Sequence, residues 1–127
     1  MEHIGIDLGG KESQICVRSE TGDIVEEVRC PTRKIVGFFA SRSPARVICE
    51  TCTEAFPIAE QAQALGRDVR VVAATLVRAL GVGHRGLKSD VRDARLLAEA
   101  SARIELASVH IPSGFSGVMT VIHPAAG

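Results

Sequence analysis

An α/β fold built on a mixed sheet is predicted by three observations. Three short strand-like runs, 3–8, 13–19 and 24–30, follow one another with only tight turns between them, the mark of an antiparallel meander. Beyond residue 31 helical stretches alternate with single short apolar runs, the order that builds parallel strands joined by helices. The chain has 127 residues, 46% hydrophobic and 24% charged, which is one domain's worth of ordinary globular sequence.

His3-Ile4-Gly5-Ile6-Asp7-Leu8 alternates apolar residues and runs into the Gly9-Gly10 turn. Ser13 to Ser19 places Ile15 and Val17 on one face, and Glu20-Thr21-Gly22-Asp23 is a turn. Ile24 to Cys30 is the third strand, closed by Pro31. Thr32 is placed to cap a helix carrying Ile35, Val36, Phe38 and Phe39 at helical spacing. Val47-Ile48-Cys49 is a short apolar strand, and Phe56 to Leu65 a helix stopped by Gly66. Val69 to Ala74 is a further strand, Thr75 to Leu80 a short helix, and 81–86 a loop with three glycines. Asp90 to Ile104 is a long helix with Val91, Ala94, Leu97 and Ala98 on one stripe. Residues 114–127 show no clear period. The order β-β-β-α-β-α-β-α is the ribonuclease-H-like one.

Composition narrows the function. The apolar stretches are broken by Arg or Glu, far short of the roughly 20 residues a helical membrane span needs. Met1-Glu2-His3 opens no signal peptide, so the expected location is cytoplasmic and no membrane partner is expected. With no Trp, no Tyr and 4 Phe, a binder that stacks single-stranded bases on aromatic platforms is disfavoured. Net charge is zero, yet it is unevenly spread. Residues 1–27 hold seven acids against two bases, and residues 67–95 hold seven bases against three acids. Such blocks are commonly solvated faces, and a basic one can also approach phosphates.

Four acids stand out. Asp7 sits on the first strand just before the Gly-Gly turn, and Glu50 ends the apolar strand Val47-Ile48-Cys49. Asp90 and Asp93 lie three apart at the start of the last helix and so share a helix face. In a mixed sheet with a central first strand, the fourth strand's end lies beside the first, with the last helix packed across both. Clustered carboxylates repel unless a cation neutralises them, and hard oxygen ligands suit Mg²⁺ or Mn²⁺. Each acid also has an ordinary reading: a solvated strand end, or an N-cap and its reciprocal partner at the helix start. Asp7 is the hardest to dismiss, because an unpaired carboxylate in an apolar strand is costly.

These residues resemble the DEDD transposases of the "IS one-ten" insertion-sequence family. The matching stretches are Ile4-Gly5-Ile6-Asp7-Leu8-Gly9 and Val47-Ile48-Cys49-Glu50-Thr51. A third runs from Arg78-Ala79-Leu80-Gly81-Val82-Gly83 through Gly86-Leu87-Lys88-Ser89-Asp90 to Val91-Arg92-Asp93-Ala94-Arg95-Leu96-Leu97, and it is the most specific. The likeness implies a RuvC-like, ribonuclease-H-like domain over 1–113 that takes part in DNA transposition and recombination. It implies that Asp7, Glu50, Asp90 and Asp93 are catalytic metal ligands for Mg²⁺ or Mn²⁺. It implies DNA and a structured guide RNA as partners, with homo-oligomers also in view. Arg78, Arg85, Lys88, Arg92 and Arg95 would then face nucleic acid, Lys88 and Arg92 first because they flank the acids. Glu54 is an outer candidate. Family members are longer and carry a second domain with a catalytic serine. On that pattern 114–127 is an atypical tail of a truncated copy, and neither Ser113 nor Ser116 takes the serine's role.

Three other readings compete. Ile4 to Gly10 also resembles the first phosphate loop of sugar kinases and actin-like ATPases, which need a second lobe to enclose nucleotide. Cys49-Glu50-Thr51-Cys52 is a C-x-x-C between strand and helix, the setting of a thioredoxin-like redox pair. A domain that binds nucleic acid without catalysis is the third.

Overall fold

The computed structural model describes residues 1–80 and 90–111. Five strands form one mixed sheet: β1 (Glu2–Asp7), β2 (Glu12–Arg18), β3 (Ile24–Pro31), β4 (Ala45–Glu50) and β5 (Asp68–Val72). Their spatial order is β3-β2-β1-β4-β5. β1 pairs antiparallel with β2, and β2 with β3, so the predicted meander forms. β4 pairs parallel with β1, and β5 parallel with β4, each reached through a helical crossover. The first strand is therefore central, as the element order predicts. The helices are α1 (Ile35–Ala40), α2 (Ala55–Ala64), α3 (Ala74–Ala79) and α4 (Asp90–Arg103).

Side-chain alternation sorts the strands onto two faces. Ile4, Ile6, Val47, Cys49, Val69 and Val71 point to one face, where Ile35 and Phe39 of α1 and Ala55, Ala59 and Ala62 of α2 cover them. Cys16 points the other way, against Ala94 and Ala98 of α4. Ile48 and Val72 also lie on that face, packed with Leu97 of α4 and Val77 of α3. Gly66 has φ +82°, the left-handed conformation that ends α2 where the sequence predicts its stop. The segment after α4 protects the β5 edge: Val109 N donates to Val71 O at 2.8 Å, and Arg70 Nη1 donates to Leu106 O at 2.7 Å.

Two elements differ from expectation. Thr32 does not cap a helix with its side chain; it opens a short 3-10 turn, Thr32–Lys34, ahead of α1. Its hydroxyl is drawn inward, donating to Gly9 O at 2.7 Å. The fifth strand stops at Val72, because Ala73 turns the chain into α3 at Ala74. Among the described residues no helix is long and apolar enough to cross a membrane.

Candidate functional site

The β1–β4 ladder pairs Glu2 with Ala45 and ends with Ile6 opposite Cys49. The same register one step on sets Asp7 beside Glu50, on strands about 4.8 Å apart. Ile6 and Cys49 face α1 and α2, so the next residues of both strands lie on the α4 face. Across the other ladder Asp7 pairs with Gln14, and Gln14 with Arg29. One row of side chains thus crosses the sheet end: Arg29, Gln14, Asp7, Glu50 and, opposite Glu50 on β5, Val72.

α4 runs against this face antiparallel to β1. His3 Nδ1 meets Ser101 Oγ at 2.6 Å, near the helix C-terminus. Further along β1, a Cβ on Gly5 would stand 2.3 Å from Ala94 O and 2.5 Å from Ala98 N. The helix backbone therefore rests directly on Gly5, and its first turn, with Asp90 and Asp93, lies toward the Asp7 end. Asp93 is 1% exposed, an unusual setting for a carboxylate. Asp90 is exposed, with Oδ2 3.6 Å from Arg29 Nη2, and Arg29 also lies 3.7 Å from Glu12. Asp7, Asp93 and Arg92 each have further interactions within the fold.

The four predicted acids thus share one end and one face of the sheet by strand register and helix placement. Their donor set, hard oxygens from two strand ends and one helix turn, is of the type Mg²⁺ or Mn²⁺ takes. Among the described residues, however, no three His, Cys, Asp or Glu side chains are gathered into a group that could hold a metal ion. Glu54 stands elsewhere, on the α2 side: its Oε2 is 3.9 Å from where a Cβ on Gly10 would be.

The predicted basic residues separate. Arg95 is exposed and held by Glu27 of β3, Nη2 to Oε1 at 2.7 Å, an ion pair that fastens α4 to the sheet. That hydrogen bond keeps the Glu27 carboxyl below its usual range. Arg92 is exposed on the first turn of α4, and Arg78 in the last turn of α3. Arg85 and Lys88 lie outside the described residues.

The C-x-x-C pair has the wrong chemistry for a redox centre. Burial pushes the Cys49 thiol up to about 12 and raises Cys52 as well, whereas a redox nucleophile needs an accessible thiolate.

A hydrogen-bonded ring that the sequence does not advertise fixes the Gly9-Gly10 turn. Gly9 N donates to Ser13 Oγ at 3.2 Å, and Thr32 Oγ1 donates to Gly9 O. Ser13 Oγ and Thr32 Oγ1 are 2.7 Å apart. The single Thr32 proton goes to Gly9, so Ser13 donates to Thr32. The only advance sign was a Ser and a Thr beside glycine and proline turns, which suits local capping equally well. No protein-family model matches this sequence, and no curated protein matches it either.

Proposed function

We propose that this chain is a RuvC-like, metal-dependent domain of a DEDD-type DNA transposase, acting on DNA phosphodiesters in insertion-sequence transposition. The observation that carries this reading is the row at the sheet end, where Asp7 and Glu50 end neighbouring strands beneath the helix that begins with Asp90 and buried Asp93. The strand order, three antiparallel strands followed by two parallel ones, supports a ribonuclease-H-like fold. Asp7, Glu50, Asp90 and Asp93 would hold Mg²⁺ or Mn²⁺. Such ions, when bound, stabilise the attacking and leaving oxygens of a phosphodiester exchange. The chain's own residues set up that site. Gly5 lets α4 sit close enough for its first turn to reach the strand ends, and Arg29 offsets part of the acidic charge at Asp90. DNA and a structured guide RNA are the partners this reading names.

The test is titration with Mg²⁺ and Mn²⁺, followed by calorimetry, for the wild type, Asp7→Ala and Asp93→Ala. Each substitution is expected to weaken metal binding roughly tenfold or more. Unchanged affinity in both folded variants would remove the metal site. It would leave a second reading, a domain that binds nucleic acid without cutting it. The lack of a gathered three-ligand group among the described residues favours that reading.

A further inference from the structure

The carboxylate end of the sheet carries positive charge beyond the residues the sequence singles out. Most guanidinium groups of the described residues are already engaged. Arg42, Arg46, Arg70, Arg95 and Arg103 pair with carboxylates, and Arg67 bonds the carbonyls of Phe39 and Arg42. Lys11, Arg33 and Lys34 differ. All three are exposed, and none makes an ion pair or side-chain hydrogen bond among the described residues.

They are brought together by the fold. Lys11 leaves the Gly9-Gly10 turn, Arg33 and Lys34 sit on the 3-10 turn, and Thr32 N donates to Lys11 O at 2.8 Å to join the two. Two surface depressions meet there, sharing Gly10 and Arg33 in their walls. One also contains Lys11. Gly10 presents no side chain, and its backbone φ is not positive, so the open floor is not forced by turn geometry. Glu12 lines the same depression, but Arg29 lies 3.7 Å from its carboxylate and offsets its charge. Glu54 is the acid at the far wall.

We propose that Lys11, Arg33 and Lys34, with the open floor at Gly10, seat the phosphodiester backbone of a nucleic-acid strand passing the carboxylate end of the sheet. The proposal rests on the function proposed above and deepens it, because it names a surface at the same end of the sheet, on its α1–α2 side, for the backbone of the substrate. Unpaired, exposed cations are the groups that exchange counterions for phosphates at no cost in broken ion pairs. A lipid surface fits less well. The exposed large apolar side chains of the described residues are Met1, Ile24, Val25, Leu65 and Ile104, and all lie toward the opposite end of the sheet.

The test is binding of the full chain to a labelled DNA duplex in EDTA, over a series of salt concentrations. Lys11→Gln, Arg33→Gln and Lys34→Gln are measured singly and together, with Arg103→Gln alongside. The triple variant is expected to bind roughly tenfold or more weakly at low salt, with the log–log salt slope reduced by about 2.7. Arg103→Gln should leave the slope unchanged. If the triple variant fails to fold by circular dichroism, the single variants carry the test through smaller slope changes. An unchanged slope in the Lys11, Arg33 and Lys34 variants overturns the proposal, as does an equal loss with Arg103→Gln. So does equal weakening toward vesicles of anionic phospholipid in place of DNA. A reduced slope with no metal-dependent cleavage sustains this seat and removes the catalytic reading instead.

Discussion

At the scale of single residues, the hydroxyl of Thr32 shows how position in the fold overrides local preference. Just before a helix, Thr is expected to cap a backbone N–H. Here its hydroxyl instead closes a ring with Ser13 and Gly9, and both hydroxyl-bearing residues are buried. A buried donor or acceptor left without a partner costs about 1–3 kcal/mol. Thr32→Val keeps the shape but abandons Gly9 O and the Ser13 hydroxyl together. It should lower stability by about 2 kcal/mol, while Thr32→Ser, which keeps the oxygen, should lose much less. Urea unfolding of the two variants against wild type checks this, and equal losses would mean that the methyl group matters rather than the ring. The same logic separates the cysteines from function. Cys49 lies in the core between Val47 and the β4 end, where burial keeps its thiol protonated.

At the scale of elements, the contact between α4 and β1 organises the candidate site. It needs a residue with no Cβ at position 5, since Ala94 O and Ala98 N already occupy that space at 2.3 and 2.5 Å. Both obstructing atoms are backbone, so Gly5→Ala requires the helix to move, not a side chain to swing. The expected loss is about 3 kcal/mol, seen as a lower urea midpoint with α4 amides exchanging fastest. An unchanged midpoint would mean that α4 does not rest on the strand. The sequence predicted this element and its stripe because Ala94, Leu97 and Ala98 repeat at helical spacing. It predicted Glu50 as a strand end because the apolar run breaks there, and it carried the first strand one residue past Asp7, to Leu8. It could not predict that Arg29 reaches Asp90, or that Lys11 joins Arg33. Those pairings depend on the register of β2 against β3, which places Glu12 opposite Pro31, and register is written in backbone pairing rather than in any local pattern. Likewise no local pattern shows that Arg95 pairs with Glu27, a residue 68 positions away.

At the scale of the whole molecule, the two ends of the sheet are electrically different. Beside the carboxylate row stand cations without partners, while the opposite end is closed by ion pairs. There Asp68 takes Arg46 at 2.9 Å and Arg70 at 3.0 Å, and Arg70 also takes Glu105 at 2.7 Å. Hydrogen bonding from Arg70 keeps the Asp68 and Glu105 carboxyls below their usual range. His3, also at this end, is shifted below its ordinary value by burial first and then by Arg46 and the N-terminal amine, with Glu20 and Asp68 opposing. In each case the unfolded chain binds protons at a pH where the folded chain does not, so stability must fall as pH falls. For His3 the contribution is complete above about 6.5 and is lost as pH drops toward its folded value. For the carboxylates it is complete above about 4.5 and is lost as pH drops through the acid range. The urea midpoint should therefore be level from pH 8 to 7, decline below about 6.5, and decline again more steeply below about 4.5. His3→Gln should abolish the first decline and leave the second, whereas Arg70→Gln should shrink the second and leave the first. A wild-type midpoint level down to pH 5 would show that burial does not lower His3 in the folded chain. An acid decline that survives Arg70→Gln would move the sensitivity to Glu20 and Glu27, whose carboxyls are also held below their usual range by the N-terminal amine and by Arg95.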